Sequence, residues 1–266
     1  MIKMFVSDID GTMMQHGGLI DKEDLEALRT MAEEGVILCF ASGRLDNEIA
    51  ALMKDVGTDF HRISVNGVFI YTHANEQLFS AAFDPHIVQD LINMTRGDRF
   101  IRYVSDEHNY YIEEKTPIVL ELEEKETMTS IEMPHLAEEA GVSIIPNKIS
   151  IGGEEADLLE MQKKVEEKFS AYVSTFISAK NCLDVVPANV SKGAAISLLL
   201  KQHNVKPEEM ACIGDSYNDI SMFQLTPHSF AMEIADDAVK EHADHLVKTV
   251  KQAVEYVQNY NSSFVK

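Results

Sequence analysis

The stretch that decides the fold is MFVSDIDGT, residues 4–12. Its first four residues form a short apolar run typical of a buried strand, and two acidic residues follow at once. Side chains two positions apart in an extended chain point the same way, so Asp8 and Asp10 are predicted to face one site. Two adjacent carboxylates repel each other unless a cation lies between them, and Mg²⁺ prefers such oxygen ligands. The alternative for this stretch is a polar turn formed by Gly11.

Strand-like and helix-like segments alternate around this stretch. Further strands are predicted at 36–40, 63–65, 68–70, 210–213, 229–232 and 244–247, and helices at 21–34, 45–57, 191–200, 220–225 and from 249 onward. Asn66-Gly67 is a strong hairpin signal between two of the strands. Alternating strands and helices predict an α/β fold, a Rossmann-like parallel-sheet core with helices on both faces.

The middle of the chain has a different pattern. Two helices, one of them at 154–169, are interspersed among paired strands at 100–104, 110–113, 148–151, 172–177 and 182–186. This pattern predicts an α+β cap domain at 83–187, inserted into a catalytic core formed by 1–82 and 188–266. The insert is expected to set substrate choice, because the chemical motifs lie outside it.

The composition restricts the partners. The chain has 23 Lys plus Arg against 44 Asp plus Glu, a net charge of −21. Such a surface repels nucleic acid and anionic lipid, so neither is an expected partner. The spacing of the three cysteines is not typical of disulfide bonds. The sequence also shows no apolar run of membrane-spanning length and no signal-peptide pattern. These features together predict a cytoplasmic protein. An anion site in this protein must be made locally positive by a metal, a lysine or backbone N–H groups.

Two further segments open predicted helices directly after strands or loops. Ser42-Gly43-Arg44 follows the strand at 36–40, and its hydroxyl and N–H groups can either cap the helix or hold a phosphate there. Lys192 opens the helix at 191–200, where the helix end is already partly positive. A lysine there is either a solvated surface charge or the partner of a nearby anion.

The last segment is GDSYND, residues 214–219. It follows the strand at 210–213 and brings Asp215, Asn218 and Asp219 to a strand-to-helix junction. Its alternative is an ordinary loop in which Asp219 caps the next helix. Ligands of open α/β sheets bind beyond the carboxyl ends of the strands, so these segments are predicted to meet at one site.

The combination of motifs resembles the haloacid dehalogenase-like (HAD) superfamily. DxDGT, a Ser after the second strand, a Lys and GDxxND are all present. SGR, the Asn-Gly hairpin, VSKG and GDSYNDISM are similar to the Cof-type subfamily, class IIB, whose cap lies at the position of the insert. The resemblance implies a Mg²⁺-dependent phosphatase that hydrolyses small phosphate monoesters, such as sugar phosphates or nucleotide-like phosphates, through an aspartyl-phosphate.

The resemblance also implies residue roles. Asp8 is the nucleophile, and Asp10 is the general acid and then the general base. Mg²⁺ is bound by Asp8, the backbone carbonyl of Asp10 and Asp215. The phosphoryl group is held by the N–H of Ile9, by Ser42 and Gly43, and by Lys192 and Asn218. Asp219 orients Lys192 or the metal waters, and Arg44 lies beside the site.

Two alternatives remain. A hexose phosphomutase with the same core would return the phosphoryl group to the sugar and release no inorganic phosphate. A non-catalytic phosphate sensor would be a retired enzyme, but retirement usually removes a nucleophile or a metal ligand, and all of these residues are present.

Overall fold

The structure, a computed structural model, describes residues 1–14, 20–126 and 128–264. It divides into two compact units, here called the core unit (Met1–Ser80 with Ser191–Lys266) and the cap unit (Ala81–Val190). The boundaries between catalytic core and cap domain that the sequence predicts, at 82/83 and 187/188, remain a prediction.

The described residues form the following elements. The strands are β1 (Met4–Ser7), β2 (Ile37–Ala41), β3 (His61–Ser64), β4 (Phe69–Tyr71), β5 (Gln77–Ser80), β6 (Ile101–Ser105), β7 (Tyr110–Ile112), β8 (Ser130–Glu132), β9 (Lys148–Gly152), β10 (Val173–Ala179), β11 (Cys182–Pro187), β12 (Met210–Gly214), β13 (Ser229–Met232) and β14 (His245–Val247). The helices are α1 (Lys22–Glu33), α2 (Asp46–Leu52), α3 (Val88–Met94), α4 (Pro117–Glu126), α5 (Leu136–Glu139), α6 (Glu155–Phe169), α7 (Lys192–His203), α8 (Ile220–Phe223), α9 (Asp237–Lys240) and α10 (Val250–Ser262).

The core unit is built on one sheet. In the described part of the chain its strands lie in the order β14-β13-β12-β1-β2-β3-β4-β5. The pairs from β14 to β3 are parallel, and β3, β4 and β5 pair antiparallel. β1 is therefore central, with β12 on one side and β2 on the other, and the ends of these three strands lie side by side.

The side chains of β1 point alternately to the two faces of the sheet, which explains why helices cover both faces. Phe5 belongs to the hydrophobic cluster that α1 and α10 complete, whereas Met4 and Val6 belong to the cluster completed by α7 and α8. All three side chains are at most 1% exposed. Successive side chains of a strand point to opposite faces, so one short apolar strand anchors two helical layers. The predicted α/β fold with helices on both faces is confirmed.

The helix starts follow their capping residues. Asp21 accepts a hydrogen bond from the Glu23 N–H at 2.7 Å, and Ser191 accepts one from the Ala194 N–H at 3.0 Å. Each cap satisfies one N–H group that the helix leaves unpaired at its first turn. Both starts were predicted from the sequence, and Ser191 places Lys192 in the first turn of α7.

The cap unit has its own sheet and its own core. Among the described residues its strands lie in the order β10-β11-β9-β6-β7-β8, antiparallel except for the parallel pair β7 and β8. The predicted α+β character is confirmed, but the prediction of two helices is wrong because α3, α4, α5 and α6 are described there. α5 has four residues, too few for helical periodicity to show in a sequence.

The cysteines lie apart from one another. Cys39 and Cys212 are buried in β2 and β12, and all three cysteines are free thiols. Burial raises the pKa of both buried thiols, so they stay protonated and unreactive at neutral pH. Within the described ranges, every helix is too short or too polar to cross a lipid bilayer.

Acid is expected to destabilise the core unit through His61. The ring of His61 is 3% exposed and packs against those of His203 and His73, with centroids 4.6 and 5.4 Å away. Burial, with smaller contributions from the two other histidines, lowers the pKa of His61 from 6.5 to about 4. The unfolded chain therefore binds more protons between these values, and stability falls as the pH drops from 6.5 towards 4, by up to about 3 kcal/mol.

Urea unfolding at pH 7, 5.5 and 4.5 measures this effect. His61→Phe keeps a ring but cannot titrate, so it should flatten the pH dependence of the free energy of unfolding in this window. His86→Phe, at an exposed position, should leave the dependence as in the unmodified protein. An unchanged slope in His61→Phe would assign the acid sensitivity to other groups.

Candidate active site

The four sequence segments meet at one edge of the core sheet. Asp8 follows β1, Ser42 follows β2 and Asp215 follows β12, at the carboxyl ends of three neighbouring parallel strands. Lys192 reaches the same edge from the first turn of α7. The site is therefore formed by residues far apart in the chain because the sheet places their strand ends together.

Lys192 lies at the centre of this site. Its side chain is 1% exposed, and its Nζ donates to Asp8 Oδ1 at 2.5 Å and to Asp219 Oδ1 at 2.7 Å. Burial lowers the pKa of Lys192, but the carboxylates of Asp219 and Asp8 outweigh it and raise this pKa above its ordinary value. The surface-charge alternative is wrong: the lysine is buried as a cation between two anions.

Asp215 is held by the loop that follows β1. Thr12 Oγ1 donates to Asp215 Oδ1 at 2.8 Å, and Thr12 is fully buried. Gly11 has a φ of +83°, and a Cβ added there would lie 2.3 Å from Asp215 Oδ2. Glycine at this position therefore supplies the left-handed turn and also leaves room for the carboxylate.

Asp219 organises its own loop. Its Oδ2 accepts from the N–H groups of Asp215 and Ser216, both at 2.9 Å, while its Oδ1 accepts from Lys192. The side chain is fully buried. Both oxygens are thus engaged, one with Lys192 and the other with the backbone that carries Asp215.

The acidic side chains form a compact cluster. One carboxylate oxygen each from Asp8, Asp215 and Asp219 lies within 4.8 Å of the others, so the three could hold a metal ion. Burial raises the pKa of Asp8 well above its ordinary value, opposed by Lys192 and assisted by the neighbouring carboxylates. Burial and the charge of Asp219 raise the pKa of Asp215 to about 6. The cluster therefore brings three acidic groups together around a single lysine.

Asp10 lies at the same strand end, but its side chain faces another partner. Arg44 Nε and Nη2 bind both of its oxygens, at distances down to 2.7 Å, and the Asp10 side chain is 49% exposed. Ser42 Oγ lies 3.4 Å from Asp10 Oδ2 and also accepts from the Arg44 N–H at 3.2 Å. The Asp10 carboxylate is therefore not part of the acidic cluster, and Arg44 contacts Asp10 directly.

The remaining predicted phosphate-binding residues lie around this edge. The side chain of Ile9 is fully buried in the core, which leaves its backbone for any contact with a ligand. A Cβ on Gly43 would lie 3.2 Å from Asn66 Oδ1, so the loop after β2 passes close to that side chain. Asn218 Nδ2 donates to the same Asn66 oxygen at 3.0 Å.

Two residues of this site were not foreseen from the sequence. Thr12 positions Asp215, and Asn66 binds Asn218. Both residues lie in recognisable stretches of the sequence, DxDGT and the Asn-Gly hairpin. Their own roles were missed because a hydroxyl or amide in a turn has a local explanation that needs no distant partner.

The comparisons with known proteins identify the family and support the fold of this chain. The family model of the haloacid dehalogenase-like hydrolases matches residues 5–257. A solved structure, that of a sugar phosphatase of HAD subclass IIB, is 20% identical, with a TM-score of 0.81, over 97% of this chain and 99% of that one. At this identity the likeness concerns the fold, including the cap.

Two relatives are similar over nearly their whole length. The 5-amino-6-(5-phospho-D-ribitylamino)uracil phosphatase of Bacillus subtilis is 25% identical over 93% of both chains. The HMP-PP phosphatase of Serratia proteamaculans is 25% identical over 87% of this chain and 84% of the relative. Both relatives are phosphatases.

Proposed function

The chain belongs to the haloacid dehalogenase-like hydrolases, as a Cof-type, class IIB phosphatase, and from this we propose that it hydrolyses small phosphorylated metabolites with Asp8 as the nucleophile and Mg²⁺ as the cofactor. The substrates we favour are sugar phosphates or nucleotide-like phosphate monoesters. The two relatives are named as phosphatases of 5-amino-6-(5-phospho-D-ribitylamino)uracil and of HMP-PP.

The observation that carries the proposal is the environment of Asp8. Its carboxylate is buried at the end of β1, in contact with Lys192 and within the acidic cluster. A carboxylate is a weak nucleophile and approaches a phosphoryl dianion against repulsion, so cations must neutralise the charge. Lys192 supplies one such charge, and the excess of carboxylates supports a second, divalent one.

The donors of the site fit Mg²⁺. All three carboxylates of the cluster offer oxygen, and the cluster includes no Cys or His ligand among the described residues. Asp8 and Asp215 would hold the ion together with the backbone carbonyl of Asp10, because Asp219 already uses both oxygens for Lys192 and the loop. When bound, the ion neutralises phosphoryl charge and aligns it with Asp8.

The proposed chemistry has two steps. First, an Asp8 oxygen bonds to phosphorus, the phosphorus–alcohol bond breaks, and Asp10 gives its proton to the alcohol oxygen. Then water bonds to phosphorus as Asp10 takes its proton, and the phosphorus–Asp8 bond breaks to release phosphate and the free carboxylate. Proton transfer of this kind contributes roughly 10²–10⁴ in rate. Lys192, Ser42, Gly43, Asn218 and the Ile9 N–H hold the phosphoryl oxygens.

Asp10 must separate from Arg44 during this cycle. The guanidinium occupies both carboxylate oxygens, so Asp10 cannot exchange a proton with a substrate while the pair is intact. The Arg44 side chain is 26% exposed, so it is partly accessible to solvent. A phosphoryl group offers the same fork of oxygens to arginine, and it can take the place of Asp10 as the partner of Arg44.

The function is tested by screening the purified protein with Mg²⁺ against phosphorylated metabolites and measuring released phosphate. Sugar phosphates, nucleotides and the two substrates named for the relatives form the panel. Isomerised sugar phosphate without phosphate release would instead indicate a phosphomutase. Phosphate binding without any turnover of the panel would indicate a sensor.

Removal of metal is expected to abolish turnover. EDTA should reduce phosphate release to background, and Mg²⁺ should restore it, because the carboxylates of the site repel a phosphate dianion when no divalent ion is bound. Ca²⁺ should restore little, since it favours more ligands at longer distances than this small cluster offers. Steady-state rates against metal concentration measure the requirement.

A matched pair of variants locates the metal. Asp215→Asn keeps the acceptor for Thr12 but removes a charge, and it should raise the Mg²⁺ concentration for half-maximal rate by at least roughly tenfold. Asp237→Asn, at a side chain that is 97% exposed, should behave as the unmodified protein. Full activity in metal-free buffer would refute the proposed site.

A further inference from the structure

The turn after β3 has an unusual backbone. Val65 has a φ of 54°, Asn66 of 59° and Gly67 of 103°, so three consecutive residues lie in the left-handed region. Asparagine and glycine tolerate this region, but a β-branched valine adopts it only under strain. β3 and β4 do pair as the predicted antiparallel hairpin. A hairpin of this length needs no strained valine, and strain of this kind is typical of functional sites.

This turn is tied by its backbone to the loop after β2. The Asn66 N–H donates to the Ser42 carbonyl and the Val65 N–H donates to the Arg44 carbonyl, both at 2.9 Å. The turn therefore determines where the backbone of the Ser42–Arg44 loop lies. That loop carries two of the groups assigned to phosphoryl binding.

The same turn also abuts the start of α7. A Cβ on Gly67 would lie 2.4 Å from the backbone carbonyl oxygen of Ser191, the residue before Lys192. Only glycine permits this approach, which fixes the distance between the turn and the helix end that presents the lysine.

The side chain of Asn66 contacts the GDSYND segment, residues 214–219. It is fully buried, and its Oδ1 accepts from Asn218 Nδ2 at 3.0 Å. The other amide atom of Asn218, Oδ1, is buried without a hydrogen-bond partner among the described residues. Among the described residues, the bond from Asn218 Nδ2 to Asn66 thus orients the Asn218 amide.

We propose that Asn66 is a positioning residue for phosphoryl binding, which aligns the amide of Asn218 through its side chain and the Ser42–Arg44 loop through its backbone. This inference rests on the proposed function, in which Asn218 and Ser42 hold the phosphoryl group. The ligand in question is a phosphoryl group or inorganic phosphate. Asn66 therefore acts through Asn218 and through the Ser42–Arg44 loop.

Asn66→Gly separates the contribution of the Asn66 side chain from that of its backbone, since glycine keeps the left-handed backbone and removes only the side chain. With para-nitrophenyl phosphate as substrate, KM should rise roughly tenfold, the scale of one lost hydrogen bond. The inhibition constant of inorganic phosphate should rise by the same factor. Loss of folded protein would instead lower kcat and leave KM unchanged. Asn204→Gly, an exposed asparagine with a φ of 51°, is the matched control and should change neither constant.

A double-mutant cycle tests whether the effect passes through Asn218. In the Asn218→Ala background, Asn66→Gly should change the phosphate inhibition constant by no more than about twofold, because the group that it positions is already absent. Equal factors in both backgrounds would overturn the inference. NMR of the Asn218 side-chain amide provides a readout independent of activity: its Nδ2 proton signals should shift in Asn66→Gly and not in Asn204→Gly.

The outcomes distinguish this inference from the proposed function. If the unmodified protein binds and hydrolyses phosphate compounds but Asn66→Gly matches Asn204→Gly, the inference is refuted and the function stands. If the unmodified protein with Mg²⁺ neither releases phosphate from any substrate nor binds inorganic phosphate, the proposed function fails and the inference fails with it.

Discussion

Replacing Asp8 by asparagine is expected to lower kcat at least about a thousand-fold while the fold stays intact. The amide keeps the size of the carboxylate and can still accept a hydrogen bond from Lys192. It cannot form the acyl-phosphate, because its nitrogen and its uncharged oxygen are poor nucleophiles towards phosphorus. The loss should therefore fall on turnover rather than on folding.

The measurement combines rates with trapping of the intermediate. Rapid acid quench of the unmodified protein with a ³²P-labelled substrate should yield labelled protein that hydroxylamine releases, whereas Asp8→Asn should yield none. Beryllium fluoride, which mimics an aspartyl-phosphate once bound, should inhibit both the unmodified protein and Asp237→Asn. Asp237→Asn is the matched control. A variant at Asp8 that kept a tenth of the normal rate would assign the nucleophile to another residue.

The same replacement should stabilise the metal-free protein. The pKa of Asp8 is raised chiefly by burial, so the folded chain holds this charge less well than the unfolded chain does. An uncharged asparagine removes that cost and the repulsion by Asp215 and Asp219. Thermal unfolding in EDTA should show a midpoint that rises, by about 2–4 °C for each 1 kcal/mol gained.

Lys192→Met is expected to abolish turnover and, unlike Asp8→Asn, to destabilise the metal-free protein. Methionine fills a similar volume but leaves Asp8 and Asp219 without the ammonium group that binds them at 2.5 and 2.7 Å. Removing one partner of a buried ion pair leaves an uncompensated charge, which costs about 3–5 kcal/mol. Urea unfolding in EDTA measures this loss.

Mg²⁺ should partly reverse the destabilisation. A divalent ion that binds the folded cluster neutralises the carboxylates that have lost the Lys192 ammonium group. It should therefore raise the unfolding midpoint of Lys192→Met. Lys201→Met, on the exposed surface of the same helix, should match the unmodified protein in rate and stability. Normal turnover in Lys192→Met would exclude the lysine from phosphoryl binding.

Most elements of the core unit could be predicted because their signals are local. Apolar runs of four or five residues marked β1, β2 and β12, and Asp21 and Ser191 marked helix starts that the structure confirms. The cap was predicted less well. α5 has four residues and is too short to show a helical period.

The partners within the site could not be predicted in the same way. The spacing of Asp8 and Asp10 indicated two carboxylates on one side of an extended chain, yet one lies against Lys192 and the other against Arg44. Lys192 illustrates the opposite case: its position at a helix start suggested a nearby anion, but not which one. The answer depends on α7 packing against α8, β3 and β4, which brings its first turn to the ends of the strands.

The sequence by itself determined the chemistry that is available: oxygen donors, one lysine and a serine at strand and helix ends, in an order that predicts a parallel sheet. Only the tertiary structure decided which of these groups touch. Asn66 and Asn218 are separated by 152 positions, and Thr12 and Asp215 by 203. Such pairs form because the strand order β12-β1-β2-β3 brings their loops to one edge. That order is set by the packing of both hydrophobic faces at once, a long-range property that no local stretch of sequence carries.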